Sequence, residues 1–369
     1  MTAAAGVGDA GHVPRGASIR LLDLDARLRA LPIGTRNYKA VLAALIARHN
    51  HRHARKDKLI SIETRHDRRE FFYGFFLELR SQTQYNALDP RCLANRHVQL
   101  MVDRWIARSL ATSTIHKYLS YLRTFAEWIG KPGMVYPPQK YVRHAPEHAV
   151  RTQVARSDRS WTSAGLDIAA KVQEVTAFDS WVGLQLELCW RFAMRSNEAR
   201  HFRPHEPLYS RAQADARDVA AHPDASEFVH IHRGTKGGRA RFVPLTTEEQ
   251  RALLARLCAA VAPGGFVGNP AHTHLQAQNR FYYVVRRFGI CEKTLQVTAH
   301  GLRHQQANDF YEAQLGAPSP VRGGTVRSEA ELLARDRTSR LLGHSRRQVT
   351  SCYLGAAPKT GRAPSVKGT

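Results

Sequence analysis

The most regular pattern in the chain is an apolar repeat at three- and four-residue steps between Ser113 and Gly130. Such a repeat puts its apolar side chains on one face of a helix, with Ser113 as the capping residue and Gly130 at the stop. Three segments with helical patterns precede it, at residues 35–50, 63–81 and 92–110, and short polar breaks separate them. The sequence therefore predicts an all-α, four-helix N-terminal domain.

Positive charge dominates the composition of the chain. Among 369 residues, 55 are Lys or Arg and 31 are Asp or Glu, which gives a net charge of +24. This excess is typical of a protein that neutralises phosphates, although an anionic membrane would also attract it. The chain has no apolar run of about eighteen residues and no signal-peptide pattern at its start. We therefore expect a soluble, cytoplasmic and nucleoid-associated protein with no membrane partner.

Cysteine and histidine spacing gives no pattern for a metal site. The five cysteines include no C-x-x-C pair, which favours reduced thiols over disulfides or zinc. His49, His51 and His53 alternate along the chain, so a helix would not align them, and no carboxylate or cysteine joins them. We expect these histidines to contact phosphate or to be exposed. The apolar stripe from Phe71 to Leu79 has helical spacing and predicts core packing.

Changes in composition divide the chain into five parts. Residues 1–34 are rich in Ala, Gly and Arg and predict a flexible basic arm, and residues 355–369 predict a flexible basic tail. The helical patterns fill residues 35–131. Prolines and basic residues without a period make residues 132–160 a linker. Residues 161–354 form a second domain.

The second domain has a mainly helical pattern with one β-type segment. A helix is expected near Ser163, followed by a buried apolar helix whose end delivers Arg195. Two β-type runs then flank a Gly-rich turn between Phe228 and Leu245, which predicts a hairpin with Lys236 at its tip. The fold class expected for this domain is α+β, mainly helical, with a small antiparallel sheet.

Phosphate-binding side chains are concentrated near the end of the chain. His300 and Arg303 lie three residues apart at a predicted helix start, so they share one face. After an irregular insert, a Leu-Leu-Gly helix stop with Gly343 beyond the cap leads to His344. Tyr353 follows nine residues later on a predicted short helix. Two histidines, an arginine and a phenol can thus reach one anion.

The order and setting of these motifs resemble the tyrosine recombinase (phage integrase) family. The matching features are Arg-x-x-Glu after an apolar helix, a hairpin lysine, His-x-x-Arg opening a helix, and Leu-Leu-Gly-His followed by tyrosine. They span roughly the last two hundred residues, and the preceding hundred agree only in helical pattern. Residues 313–339 depart from the family, because its usual connection is shorter by about one helix.

The resemblance implies that Tyr353 is the nucleophile, which leaves a 3′-phosphotyrosine and a free 5′-hydroxyl. His300 would be the base and Lys236 the acid that protonates the leaving oxygen. The catalytic set that the resemblance implies is Arg195, Lys236, His300, Arg303, His344 and Tyr353.

The same resemblance assigns the groups that bind the scissile phosphate. Arg195 and Arg303 would bind its two non-bridging oxygens with planar forks, and His344 would donate a further hydrogen bond. Glu198 is expected to be a supporting residue that fixes the direction of the Arg195 side chain. His304 is expected to be a structural hydrogen-bonding residue.

At the level of function, the resemblance implies a site-specific DNA recombinase or integrase for a mobile element. Its expected partner is double-stranded DNA, gripped by the helical, SAM-like core-binding domain, and a homo-tetramer would act on two DNA sites. Accessory directionality or host DNA-bending factors are further expected partners. No cofactor, ATP or metal is expected, because the phosphotyrosine link conserves the phosphodiester energy. Three alternatives stay open: a type IB topoisomerase-like activity, a non-catalytic DNA-binding protein, and a metal-dependent nuclease.

Overall fold

The computed structural model describes residues 24–52 and 59–356, which form two compact units divided between Thr152 and Gln153. Most of the predicted arm, most of the predicted tail and His53 lie outside the described residues. Within the described part, no helix is long and apolar enough to cross a membrane.

The first unit is helical, and each of the four segments with a helical pattern contains a helix. A short helical segment at residues 24–30 comes first. The helices that follow are α1 (Tyr38–His49), α2 (Ile62–Ser81), α3 (Asn95–Ala107) and α4 (Thr112–Trp128). The prediction that Ser113 caps α4 is wrong. The cap position is Ala111, two residues earlier, because its carbonyl already accepts from the amides of Thr114 and Ile115, which leaves Ser113 inside the first turn.

Aromatic side chains of α2 form the centre of this unit. Phe72, Phe75, Phe76 and Leu79 are buried, as the helical spacing predicted. The ring centroid of Phe72 lies 5.0 Å from that of Phe125 on α4. Aromatic pairs in such contact stabilise the fold by more than the apolar area they bury would predict.

His49, the last residue of α1, packs against this core. The ring of His49 stacks on Trp128 with 5.7 Å between centroids, and burial followed by Arg48 lowers the pKa of His49 to about 4. The expectation that His49 is exposed is therefore corrected, because the residue is half-buried and its ring packs on Trp128. Its contact with phosphate stays a prediction. No group of three or more metal-binding side chains occurs in residues 24–52 and 59–356.

The first part of the predicted linker folds onto the same unit. Val135, Tyr141 and Val142 are buried in its core. A one-turn helix, α5 (Pro138–Tyr141), begins with a proline and follows another, Pro137, at the cap position. The hydroxyl of Tyr141 accepts from the amide of Tyr136 at 2.9 Å. These anchors are irregularly spaced, so the sequence shows no period there.

The second unit contains nine helices among its described residues. They are α6 (Ile168–Phe178), α7 (Ser180–Arg191), α8 (Ser196–Arg200), α9 (Ala216–Ala221), α10 (Glu248–Ala260), α11 (His274–Arg287), α12 (Gly301–Leu315), α13 (Glu329–Leu341) and α14 (Ser351–Leu354). The helix expected near Ser163 is a 3-10 turn that ends at Gly165, which has φ +73°. The helix itself starts later because Asp167 caps it, accepting from the amide of Ala170 at 3.0 Å.

The predicted hairpin is present and belongs to a three-stranded antiparallel sheet. The strands are β1 (Tyr209–Ser210), β2 (Glu227–Ile231) and β3 (Arg241–Pro244), in spatial order β1-β2-β3. Lys236 lies in the turn between β2 and β3, as predicted. β1 was missed because two residues are too few to show alternation. The mainly helical α+β class of this unit is confirmed.

A close contact fixes the start of α12, where the motif residues begin. The buried indole of Trp161 donates to the carbonyl of Thr298 at 2.8 Å. A Cβ on Gly301 would lie 2.6 Å from the carbonyl oxygen of Arg159 and 2.9 Å from the Trp161 ring. Glycine is therefore needed for this approach, which places His300 against the rest of the site.

Candidate active site

The centre of the site is the hydroxyl of Tyr353. It lies 3.3 Å from Nε2 of His300 and 3.3 Å from Nε of Arg303, which donates to it. Tyr353 is buried, at 7% exposure, although it belongs to a four-residue helix near the end of the described chain. The imidazole of His300 and the guanidinium of Arg303 thus both contact the phenol oxygen of Tyr353.

Local helix geometry brings His300 and Arg303 to the same face, as their spacing predicted. His300 immediately precedes the first residue of α12, and Arg303 lies in its first turn. Tyr353 approaches them from α14, which follows a 3-10 turn at Arg347–Thr350. The short helix predicted to carry the tyrosine is therefore confirmed.

Arg303 is fully buried and its nitrogen atoms already have protein partners. One terminal nitrogen donates to the carbonyl of Ala193 and the other to the carbonyl of Leu342. Ala193 has φ +49° in the loop after α7, and Leu342 is the cap residue between α13 and Gly343, whose φ is +65°. Burial lowers the pKa of Arg303 to about 10, so it stays charged at neutral pH.

Glu198 organises the arginines around this centre. Its carboxylate accepts from Arg195 at 2.6 Å and from Arg241 at 2.8 Å, and it lies 3.7 Å from a terminal nitrogen of Arg303. Burial alone would raise the pKa of the Glu198 carboxyl, but Arg241, with Arg303 and Arg195, lowers it to about 2. One carboxylate thus aligns three guanidinium groups, which leaves the cluster with an excess of positive charge.

Arg241 belongs to this cluster, and the sequence interpretation missed it. Its side chain is 2% exposed, on the buried face of β3 that it shares with Val243. A Cβ on Gly343 would lie 2.9 Å from its Cδ, so the chain approaches it closely beside His344. An arginine on the inward face of a strand needs a buried acid, and that is the signal that could have revealed its pairing with Glu198.

The other two histidines pack on the ring of Tyr353. The ring of His344 lies 5.4 Å away and that of His304 4.5 Å away, measured between centroids. Nδ1 of His344 is 3.2 Å from the Thr350 hydroxyl. Burial, with Arg303 next in size, lowers the pKa of His344 to about 3, and burial lowers that of His304 to about 4. Both rings are therefore neutral at physiological pH.

His300 is less enclosed than the other two histidines. The residue keeps exposed surface, while its ring is crowded by His304, Arg303 and Tyr353. Loss of solvent around the ring, followed by the positive charges of its neighbours, lowers the pKa of His300 below its usual 6.5. A neutral His300 can accept a proton from the phenol.

Lys236 is the one predicted catalytic residue that the described structure does not bring to this centre. It is exposed in the β2–β3 turn, and within residues 24–52 and 59–356 no hydrogen bond joins it to the other five. Gly237 and Gly238, with φ +75° and +69°, form the turn after it. The start of the turn is fixed to α8, since Asn197 donates to the carbonyl of Gly234 at 2.9 Å.

The insert expected to be irregular contains a helix in its second half. Ser328 caps α13 by accepting from the amide of Glu331 at 3.1 Å. Ala334, Thr338 and Leu341 are buried at helical steps along it. Polar and charged residues between these positions hid the helical period from the sequence interpretation.

Comparison with solved structures identifies the fold. A lambda integrase dimer bound to a COC′ core site has 14% sequence identity to this chain and a TM-score of 0.50, covering 93% of this chain and 82% of that one. The Tn1549 transposon integrase in complex with a circular intermediate DNA has 12% identity and a TM-score of 0.50, covering 86% and 96%. The chain has the fold of the tyrosine recombinases.

At these identities the likeness to tyrosine recombinases concerns the fold alone. The resemblance inferred from the motifs is thus confirmed by the three-dimensional fold, although no family model and no curated protein matches the sequence.

Proposed function

We propose that this chain is a site-specific DNA recombinase that cuts and rejoins DNA through a 3′-phosphotyrosine. The observation that carries the proposal is the position of the Tyr353 hydroxyl, 3.3 Å from both His300 Nε2 and Arg303 Nε. The tyrosine recombinase fold supports it, and the two similar solved structures are complexes with DNA.

In the proposed reaction the Tyr353 oxygen attacks phosphorus and displaces the 5′-oxygen of the next nucleotide. A P–O bond to tyrosine forms as the P–O5′ bond breaks, so the phosphodiester energy is kept. Neutral His300 takes the phenol proton. Lys236 protonates the leaving oxygen when the glycine-containing turn approaches the DNA. Attack by the 5′-hydroxyl of another strand reverses the step and completes exchange.

The arginines divide between an accessible and an enclosed role. The side chain of Arg195 keeps 23% exposure while Glu198 orients it, so it can bind a phosphate oxygen directly. Arg303 has committed its nitrogens to Ala193, Leu342 and Tyr353. The bidentate contact expected of Arg303 therefore requires the phosphate to replace some of these partners, most simply the tyrosine hydroxyl. His344 would donate to the phosphate from the ring nitrogen that Thr350 leaves unoccupied.

The proposed partners follow from the recombination reaction and from charge. Double-stranded DNA suits a chain with a net charge of +24. Strand exchange between two duplexes needs one tyrosine for each of four strands, so we propose a homo-tetramer. We further propose that it serves a mobile element in the cytoplasm and acts with accessory directionality or DNA-bending factors. The helical first unit would serve as the core-binding domain. No cofactor takes part in the proposed steps.

The lowered pKa of His300 gives a pH test of its role as base. A histidine with an ordinary pKa of 6.5 is roughly three-quarters protonated at pH 6 and would lose that share of activity. Because the pKa of His300 is lowered to about 3, well below pH 6, the single-turnover rate of covalent DNA attachment should change less than about twofold between pH 8 and pH 6. A fourfold fall over this range would contradict the assignment.

Because the DNA target sequence is unknown, the experiment that tests the proposal as a whole selects the target from a random pool. A pool of nicked duplexes with a randomised central sequence is incubated with the full-length protein in EDTA, and DNA that stays attached in detergent is recovered and sequenced. We expect enriched sequences and a protein–DNA adduct on a denaturing gel. Binding without an adduct would support the non-catalytic alternative, and cleavage that EDTA abolishes would support a metal-dependent nuclease.

The DNA product distinguishes recombination from the topoisomerase alternative. Two plasmids that carry the selected sequence should yield recombinants with exchanged flanks. Relaxed circles without exchanged flanks would favour the type IB topoisomerase-like activity over recombination.

A further inference from the structure

The insert that separates the two histidine motifs contacts the helix that carries the tyrosine. Arg335 of α13 is 8% exposed, and one of its terminal nitrogens donates to the carbonyl of Gly355 at 3.1 Å and to the hydroxyl of Ser351 at 3.3 Å. Ser351 begins α14 and Gly355 directly follows it. A single guanidinium therefore binds both ends of the four-residue helix that carries Tyr353.

Buried partners hold Arg335 in this position. Its Nε donates to Glu331 at 2.9 Å, and its second terminal nitrogen lies 2.8 Å from the same carboxylate. The hydroxyl of Tyr311, on α12, donates to Glu331 at 3.1 Å. Since α12 also carries Arg303, the chain of contacts runs from the helix of the phosphate-binding residues, through the insert, to the tyrosine helix.

Helix α14 needs such external support. Four residues form one turn, which is too short to be stable by its own hydrogen bonds. Outside α13, two bonds tie the first half of the helix: the amide of Ala155 donates to the carbonyl of Ser351 at 2.8 Å, and the thiol of Cys352 donates to the carbonyl of Gln153 at 3.1 Å. Its second half is held by the buried side chains of Tyr353 and Leu354 and by the bond from Arg335 to Gly355. The pair of Arg347 and Asp336 also joins the two segments, but both side chains are more than 40% exposed, and exposed pairs contribute little.

We infer that Arg335 is a positioning residue that keeps α14 docked, so that the Tyr353 hydroxyl stays within reach of His300 and Arg303 in the same chain. The inference rests on the proposed function and gives the insert a role in it. Without the bonds from Arg335 to Ser351 and Gly355, the Tyr353 phenol is chemically unchanged but α14 no longer holds it in position. The reaction step should then slow, while DNA binding is preserved.

The test compares Arg335→Met with Arg337→Met in the full-length protein. Arg337 lies on the same helix but pairs with Gln314, away from α14, so the same chemical change serves as a matched control. Three quantities are measured: amide hydrogen exchange across residues 351–356 in the free protein, and the single-turnover attachment rate and the Kd on a selected nicked duplex. Ser351→Ala removes one acceptor and provides a milder variant.

For Arg335→Met we expect about tenfold faster exchange in residues 351–356, attachment slowed on the order of 10- to 100-fold, and a Kd within about twofold of wild type. Ser351→Ala should slow attachment about threefold, and Arg337→Met should change nothing. Unchanged exchange and rate in Arg335→Met would overturn the inference. So would faster exchange throughout the second unit in both Arg335→Met and Ser351→Ala, because that marks a general structural role.

The proposed function can fail separately. If wild-type protein attaches to no DNA, recombinase activity is refuted, and hydrogen exchange alone decides whether Arg335 holds α14.

Discussion

Replacing Tyr353 with phenylalanine should lower covalent DNA attachment by on the order of 10⁴-fold or more, since no other group can form the intermediate. Phenylalanine keeps the ring that packs 4.5 Å from His304, and only the hydroxyl is lost. DNA affinity and thermal stability should therefore stay near wild type. Attachment is measured in single turnover on a nicked duplex.

A matched control removes a phenol elsewhere in the same unit. Tyr209 lies in β1 with its ring against His230, and Tyr209→Phe should attach to DNA at the wild-type rate. An adduct that persists in Tyr353→Phe would show that another residue is the nucleophile. Equal losses in the two variants would show that the assay reports folding.

Replacing Glu198 with glutamine should destabilise the second unit by about 3–5 kcal/mol, the cost of leaving buried charge without its partner. Arg241 and Arg303, both almost fully buried, would keep their positive charges without the carboxylate. Attachment should also fall, because Arg195 loses the group that orients it. The free energy of unfolding is measured in urea by hydrogen exchange of the β2 and α12 amides.

Glu227→Gln is the control, since its pair with Arg251 is about 40% exposed and should contribute less than about 1 kcal/mol. Acid gives a second check on Glu198. Its folded pKa of about 2 lies below the usual 4.5, so its stabilisation is complete above pH 4.5 and is lost as the pH falls towards 2. The difference between wild type and Glu198→Gln should accordingly shrink between pH 5 and pH 3. A constant difference would contradict the charge network.

Local signals in the sequence were enough to locate much of the second unit. The β-type runs around Lys236 and the helix stop at Gly343 predicted elements that the structure contains, because turn glycines and alternation are local properties. His300 and Arg303 met because three residues on a helix bring side chains to one face. The approach of Tyr353 was inferred from motif order.

The rest depended on contacts between distant segments. Arg241 joins Glu198 across 43 residues, and nothing near either residue in the sequence marks the pair. Arg303 was expected to face a phosphate, but carbonyls from two separate helix ends enclose it. The clamp by Arg335 combines a helix hidden in a polar insert with a glycine carbonyl twenty residues later. Tertiary packing sets all three.

One measurement identifies both the residue that is joined to DNA and whether the link runs through a 3′- or a 5′-phosphate. Wild-type protein trapped on a selected nicked duplex is digested with nuclease and protease, and the nucleotide-bearing peptide is sequenced by mass spectrometry. We expect a nucleotide joined to Tyr353 through its 3′-phosphate, with a free 5′-hydroxyl on the released strand. A nucleotide on any other residue, or a link through a 5′-phosphate, would contradict the assignment of Tyr353, His300 and Arg303 as the reacting centre.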